Sequence, residues 1–214
     1  METKLVHITP DCEKLMAYCA RVSSSDPENP NISGLLKYCI KNAHWSVFEM
    51  GSMCVEITTS RAIAQQILRH RSFHFQEFSQ RYAAVNTCEK YHARRQDNKN
   101  RQNSIDDLPE NINKWFDDVQ EDLYAYCTRM YRDALVFGIA KEQARFLLPL
   151  ATTTKLYMHG TMRDWITYCM VRMDKSTQRE HRDIAVDIWK IMKEQVPIIS
   201  SAAEETHKVL KNES

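Results

Sequence analysis

The spacing of apolar residues predicts strands early in the chain and mostly helices afterwards. Lys4–Ile8 alternates weakly between apolar and polar side chains and residues 53–58 alternate clearly, which is typical of half-buried strands. Apolar residues at helical spacing predict helices after Asp11, Ser33 and Ser60, because each of these side chains can cap a first turn. The helix after Ser60 is predicted to carry the basic triplet that starts at residue 69 at its end.

The second half of the chain is predicted to be helical. Apolar residues recur at a helical period from Trp115 to Phe137, and Gly138 is a natural stop. Capping-box patterns at 161–164 and 177–180 predict two further helix starts. Early strands followed by helices indicate an α+β fold rather than a doubly wound sheet.

One segment interrupts this pattern. Residues 85–107 have few large apolar side chains and many Asn, Gln, Arg and Lys residues, so we expect an exposed, mobile loop. The sequence shows no repeat and no sign of a second domain. We therefore predict a single domain over residues 1–214, in which helices flank an antiparallel sheet.

Composition narrows the class of protein. Hydrophobic residues make up 43% of the chain and charged residues 27%, which are ordinary globular values. The net charge of +1 gives no basic field for nucleic acid or acidic membrane, and no stretch approaches the roughly 20 apolar residues of a membrane span. The seven cysteines lack metal-site spacing, and the chain starts without an apolar signal run. We expect free thiols in a reducing cytoplasm and no metal site.

Residues 69–82 are the most informative segment. Three consecutive basic side chains, Arg69–Arg71, would diverge by about 100° each in a helix and could not all hold one anion. If the chain beyond them is extended, Glu77, Ser79 and Arg81 lie on one face. Such a segment suits an anionic ligand with several parts, such as a nucleotide bound between subunits. A basic triplet in the last turn of a helix also complements its negative end, which needs no ligand.

The order Arg-His-Arg, seven residues, Ser resembles the signature of the flavin-dependent thymidylate synthases. The resemblance covers roughly residues 15–195 and rests on several motifs in one order. These are Ala20-Arg21-Val22-Ser23, His44-Trp45-Ser46-Val47-Phe48-Glu49, Ala144-Arg145-Phe146-Leu147-Leu148-Pro149, and the spaced residues Arg163, Arg172, Gln178 and Glu180. It implies the fold of that family and the conversion of dUMP to dTMP, with methylenetetrahydrofolate as carbon donor and FAD and NADPH as redox partners.

The resemblance also implies which residues bind each ligand. Arg172 would be catalytic, because a cation beside the uracil ring favours loss of its N3 proton. The flavin site would comprise Ser46, Arg69, His70, Arg71, Glu77, Thr161, Met162, Arg163 and Thr167. The dUMP site would comprise Gln66, Ile67, Leu68, Arg69, Glu77, Phe78, Ser79, Gln80, Arg81, Arg145 and Arg172.

Helix geometry agrees with separate roles for two of these arginines. Arg172 follows Arg163 by nine residues, about 900° around a continuous helix, so the two lie on opposite sides. The sequence departs from the family pattern at four positions, Thr161, Ser176, His74 and Gln76, which affects the expected flavin-ring contacts and folate placement. The family resemblance also implies a homotetramer with shared active sites. It implies a cytoplasmic protein, in the host cytoplasm if the source is viral, with no nucleic-acid or membrane partner.

The alternative function is a single-stranded nucleic-acid-binding module. It would use Arg69–Arg71 together with the basic segment Lys90–Arg101, in which Tyr91 could stack on a base. The near-zero net charge argues against it, because Asp106 and Asp107, with the aspartates of the following helix, offset that segment.

Overall fold

A computed structural model describes residues 1–211, so residues 212–214 of the predicted domain lie outside the described residues. The strands are Glu2–Ile8 (β1), Ser52–Ser60 (β2), His74–Glu77 (β3), Arg95–Gln96 (β4), Ser104–Ile105 (β5) and Thr153–Thr161 (β6). The α-helices are Cys12–Ala20 (α1), Ile32–Lys41 (α2), Arg61–Ile67 (α3), Glu110–Val136 (α4), Lys141–Ala144 (α5), Met162–Arg172 (α6), Arg179–Gln195 (α7) and Pro197–Thr206 (α8). Three short 3-10 helices span Trp45–Glu49, Arg145–Leu147 and Lys208–Lys211.

The sheet confirms the predicted fold class. Four strands form an antiparallel sheet in the order β1–β2–β6–β3. Along β2 the predicted alternation is present, with Met53, Val55 and Ile57 buried. The fold is therefore α+β, as the order of elements predicted. None of the helices within residues 1–211 is long and apolar enough to cross a membrane.

The chain divides into two compact units. The first contains residue 1 and residues 58–68 and 77–156, and the second contains residues 2–57, 69–76 and 157 onwards. In the first unit, α4 packs against α5 and the 3-10 helix that follows it. Tyr131 and Ala134 of α4 and Ala144 of α5 form the centre of this contact.

The second unit holds most of the large buried side chains. In this unit α2 packs against α8, and α6 packs against α7. Trp165 of α6 is fully buried, and its Nε1–H donates a hydrogen bond of 3.0 Å to the carbonyl of Met53. This bond satisfies the polar atom of the largest side chain in the core and fixes α6 within the unit.

Several predicted helix starts are confirmed. Ser60 accepts a hydrogen bond from the backbone N–H of Ile63. Thr161 and Asp164 form the complete capping box at the start of α6. Gly138, with φ of +83°, follows the end of α4, as the predicted stop required.

Other predicted boundaries are wrong by one or two residues. Asn31, not Ser33, precedes α2, and Gln178, not Thr177, precedes α7. Asp11 does precede α1, but its side chain binds Lys14 and makes no cap hydrogen bond. Polar residues are frequent near these starts, so composition alone does not select the capping residue.

The basic triplet does not occupy the last turn of a helix. Helix α3 ends at Ile67, and Arg69–Arg71 follow it. The extended segment is only β3, because the N–H of Tyr82 donates to the carbonyl of Ser79 and turns the chain. The expected row of Glu77, Ser79 and Arg81 on one extended face is therefore wrong beyond Glu77.

The segment predicted as a loop contains regular structure. Strands β4 and β5 pair antiparallel, with Arg95 opposite Ile105. The side chain of the buried Gln120 of α4 binds both backbone groups of Tyr91, at 2.9 Å and 2.8 Å. These bonds attach residues 85–107 to α4 within the first unit.

Candidate active site

The residues implied to bind ligands fall in both compact units. The second unit contains the implied flavin residues except Glu77, together with Arg172. The first unit contains the implied dUMP residues except Arg69 and Arg172.

Arg172, the last residue of α6, is held by His70. Its Nε donates a hydrogen bond of 2.8 Å to Nε2 of His70. Because Nε2 accepts, it carries no proton, and the neutral His70 ring must carry its proton on Nδ1. Burial and then the Arg172 charge lower the pKa of His70 to about 4, which keeps the ring neutral at pH 7.

Arg172 keeps the N–H donors of its two terminal guanidinium nitrogens. The Arg172 side chain makes no other hydrogen bond or ion pair with the residues that the structure describes. Its two terminal nitrogens, Nη1 and Nη2, therefore remain available to a ligand. A planar cation held at one end can present two parallel N–H groups to a flat polar edge.

The loop that carries His70 packs tightly on the sheet. The buried Phe73 ring lies 4.7 Å from the Trp165 ring in an edge-to-face contact. Strand β6 has Gly160 at this point, where a Cβ atom would lie 2.6 Å from two atoms of the Phe73 ring. Only glycine allows the Phe73 ring to lie this close to β6, and this contact fixes the chain two residues after the basic triplet Arg69–Arg71.

The residues of the implied flavin site are partly available to an anion. Arg69, Arg71 and Ser46 are exposed, and none bonds to a side chain or backbone group among residues 1–211. Arg163 instead forms a short ion pair with Glu49, a residue of the His44–Glu49 motif. Two exposed guanidinium groups and a hydroxyl fit the diphosphate and ribose of FAD chemically.

Other implied flavin residues have structural roles. The hydroxyl of Thr161 is engaged in the capping box of α6. Met162 is fully buried, and its N–H donates to the carbonyl of Gly51. Thr167 donates its hydroxyl proton to the carbonyl of Arg163, so the two residues do share a helix face.

In the first unit, Glu77 is held by two partners. Its Oε1 lies 3.2 Å from a guanidinium nitrogen of Arg61 and accepts a hydrogen bond of 2.9 Å from Thr154. Arg61 also donates to the carbonyl of Phe78. The carboxylate is therefore fixed in place, and its negative charge is balanced by a neighbouring cation.

Two implied dUMP residues, Arg81 and Arg145, bond to Glu142. Nε of Arg81 binds the carboxylate of Glu142 at 3.2 Å, and Nε of Arg145 donates to its backbone carbonyl at 3.2 Å. The hydroxyl of Ser79 accepts the backbone N–H of Arg81. Glu142 lies on α5, three residues before Arg145 and outside the family motifs, so the sequence did not mark it as a site residue.

Buried positions limit which implied dUMP side chains could touch a ligand. Ile67 is fully buried and Gln80 is 5% exposed, while Gln66, Leu68 and Phe78 are half-buried. Arg81 is exposed and Arg145 is half-buried. Arg81 is thus the exposed polar side chain of this set within the first unit, while Ser79 and Arg145 are half-buried.

Three residues of the basic segment 90–101, which the nucleic-acid alternative would use, are engaged locally. Lys90 pairs with Glu121, and Arg95 pairs with Asp107. The hydroxyl of Tyr91 makes a short hydrogen bond to Ser60. These contacts compensate the basic segment within its own unit, so the structure gives no support to a stacking role for Tyr91.

The cysteines are free thiols. Burial raises the pKa of Cys88 and of Cys169, so both are protonated at pH 7 and poor nucleophiles. Among residues 1–211, no group of three or more His, Cys, Asp or Glu side chains is arranged to hold a metal ion.

Similarity to known proteins identifies the class to which this fold and these motifs belong. Residues 4–198 match the family model described as thymidylate synthase complementing protein. The chain therefore belongs to this family, that of the flavin-dependent thymidylate synthases, as its motifs implied.

Two relatives and one solved structure illustrate the similarity. A flavin-dependent thymidylate synthase of Synechocystis sp. is 55% identical over 90% of this chain and 89% of its own. A probable flavin-dependent thymidylate synthase of Paramecium bursaria Chlorella virus 1 is 50% identical over 95% of this chain and 99% of its own. The UMP/dUMP methylase PolB of Streptomyces cacaoi has the same fold, with a TM-score of 0.87 and 22% identity over 97% of this chain and 96% of its own.

Proposed function

We propose that the protein is a cytoplasmic flavin-dependent thymidylate synthase that converts dUMP to dTMP. Methylenetetrahydrofolate would be the carbon donor, and NADPH-reduced FAD would be the hydride donor. The observation that carries the proposal is the arrangement of Arg172, whose Nε is held by His70 and whose two other nitrogens remain available. The names of the two relatives support the same activity.

Arg172 activates the uracil ring in this proposal. Its oriented cation bonds a uracil oxygen and stabilises the negative charge that develops when N3 loses its proton. A neighbouring cation typically lowers a pKa by ~1–3 units, and the deprotonated ring is more nucleophilic. Because His70 is neutral, it does not compete with Arg172 for the developing charge.

Arg81, Arg145 and Ser79 bind the phosphate of dUMP. Each of the two guanidinium groups bonds to Glu142 through Nε and has further N–H donors that suit an anion. The Glu142 carboxylate holds Arg81 in the absence of nucleotide, and a phosphate would compete with it for the Arg81 donors.

Arg69, Arg71 and Ser46 hold FAD through its anionic and hydroxyl groups, while Arg163 stays paired with Glu49. When bound, FAD supplies the reducing equivalents that complete the methyl group. The chain uses no cysteine nucleophile in this reaction, and the raised pKa values of the half-buried Cys88 and the buried Cys169 support this.

The proposed assembly is a homotetramer with shared active sites. The predicted apolar stripe of α4 is present but exposed, with Trp115 at 60%, Leu123 at 49% and Tyr126 at 54% of their full surface. Large aromatic side chains at helical spacing on a surface are typical of an interface between chains. In the proposed tetramer, a second copy of this chain covers the exposed stripe of α4.

Turnover of dUMP tests the proposal. Purified protein with FAD, NADPH and methylenetetrahydrofolate should form dTMP, and omission of any one of them should stop it. Arg172→Ala should abolish product while FAD content stays normal. Arg101→Ala, which removes an exposed arginine of the 85–107 segment, should leave turnover unchanged. Flavin-loaded protein that forms no dTMP under these conditions would contradict the proposed function.

A further inference from the structure

Two buried polar side chains, Tyr168 and His181, contact each other beside His70 in the second unit. Nε2 of His181 on α7 is 3.1 Å from the hydroxyl of Tyr168 on α6. Both side chains are almost completely inaccessible to solvent. Polar groups in a core cost free energy compared with apolar ones of the same shape, even when they are bonded to each other. Neither residue belongs to the ligand-binding sets that the family resemblance implied.

The pair forms part of an aromatic enclosure around His70. The His70 ring lies 4.9 Å from the Tyr168 ring, 6.2 Å from the His181 ring and 6.3 Å from the Phe73 ring, measured between centroids. All three contacts are edge-to-face, with interplanar angles of 74°, 89° and 88° respectively. Such contacts restrict rotation of the imidazole and thereby fix the direction of its Nε2 lone pair.

The enclosure also keeps its titratable members uncharged. Burial, then Arg172 and then His70 lower the pKa of His181 to about 3. Burial raises the pKa of Tyr168. At pH 7, His70, His181 and Tyr168 are therefore neutral, and Arg172 is the one charged member of this group. A protonated His70 would point an N–H at the Nε–H of Arg172 and break the 2.8 Å bond.

We propose that His181 is a positioning residue for Arg172, acting through Tyr168 and His70. The hydrogen bond to His181 fixes the Tyr168 ring, and the Tyr168 ring fixes the plane of His70. Nε2 of His70 in turn holds Nε of Arg172, so the directions of both Nη groups are set. This inference rests on the proposed function, because it gives the pair a part in presenting Arg172 to the uracil ring.

Four variants test this series of contacts. His181→Leu and Tyr168→Phe each remove the same hydrogen bond from opposite sides. Each should lower single-turnover formation of dTMP roughly fivefold, the factor that corresponds to one net hydrogen bond. The double variant should lose about as much as His181→Leu alone, since Tyr168→Phe then removes a bond that is already absent. His181→Gln, which retains a partner for the Tyr168 hydroxyl, should recover most of the rate.

A matched control separates positioning from general stability. Trp189 lies on the same helix, eight residues after His181, and its Nε1–H donates a hydrogen bond of 2.9 Å to Glu204. Trp189→Phe removes a hydrogen bond from a buried side chain of α7 and should lower thermal stability without changing the single-turnover rate. Equal rate losses in Trp189→Phe and His181→Leu would overturn the inference.

A spectroscopic readout tests the inference without turnover. In protein with ¹⁵N-labelled histidine rings, the parent should show His70 with its proton on Nδ1 and none on Nε2 at pH 6, assigned by comparison with His70→Gln. In His181→Leu this signal should shift towards a tautomer mixture or the protonated ring. If the parent forms no dTMP, the proposed function fails, and this spectrum alone decides the inference. An unchanged His70 signal in His181→Leu would overturn it.

Discussion

The replacement Arg172→Lys tests the importance of the anchored fork rather than of positive charge. In the parent, Nε binds His70 at 2.8 Å while two further nitrogens remain available to substrate. Lysine keeps the charge but has a single nitrogen, which cannot bond His70 and also present two parallel donors. Losing one such donor to developing charge typically costs a factor of ~10²–10³ in rate, or about 2.7–4 kcal/mol. We expect a loss of this size in Arg172→Lys.

Single-turnover formation of dTMP from reduced enzyme at saturating dUMP is the appropriate assay, because substrate affinity and product release do not enter the measured rate. Arg182→Lys is the matched control, since Arg182 donates to the carbonyl of Lys175 in the same unit and has no assigned role. It should react at the parent rate, and FAD content should be equal in all three proteins. An Arg172→Lys variant as fast as the parent would refute the argument that geometry, not charge, activates the nucleotide.

Four further predictions concern stability, assembly and chemistry. Gly160→Ala should lower the free energy of unfolding by ~1–3 kcal/mol and reduce flavin content, because the added Cβ overlaps the Phe73 ring. Gly34→Ala is the control and should change neither quantity, because its Cβ would meet only one atom, at 3.9 Å. The free energy of unfolding should decrease as the pH is lowered from 6.5 to 5, because His181 is protonated in the unfolded chain but stays neutral in the folded one. Denaturant titrations should show a weaker pH dependence of this free energy in His181→Leu. Trp115→Glu should give assemblies of lower mass in light scattering, with an intact fold, since Trp115 is 60% exposed in a single chain. An unchanged mass would show that α4 is not part of the interface between chains. Cys88→Ser should keep the parent turnover, because burial holds the thiol protonated, and loss of activity with normal FAD content would require a covalent mechanism.

Local patterns in the sequence predicted the elements whose stability is local. The alternation along β2 and the capping box at Thr161 depend on residues within a few positions, and both are present. Strand β6 was not predicted, because its inward positions include Thr154 and Gly160 as well as Leu156 and Met158. Half of this inward face is not large and apolar, so the period of two is weak in the sequence.

Contacts between distant residues could not be predicted in the same way. Arg172 and His70 are 102 residues apart, and Arg81 and Glu142 are 61 residues apart. No periodicity links such pairs. The family motifs identified Arg172, His70 and Arg81, but they did not predict that His70 bonds to Arg172 or that Glu142 bonds to Arg81. The helical period of α4 predicted the helix correctly, yet a period cannot distinguish a face turned to the chain's own core from a face exposed for a partner.

The proposed function requires that this chain transfers a one-carbon unit to dUMP. Mass spectrometry of the nucleotide after one turnover, with ¹³C-labelled methylene on the folate donor and NADPH-reduced protein, measures this transfer. We expect dTMP that carries the ¹³C label in its methyl group, and almost none from Arg172→Ala. Recovery of unchanged dUMP from parent protein that holds FAD and binds dUMP would show that the chain does not transfer the one-carbon unit.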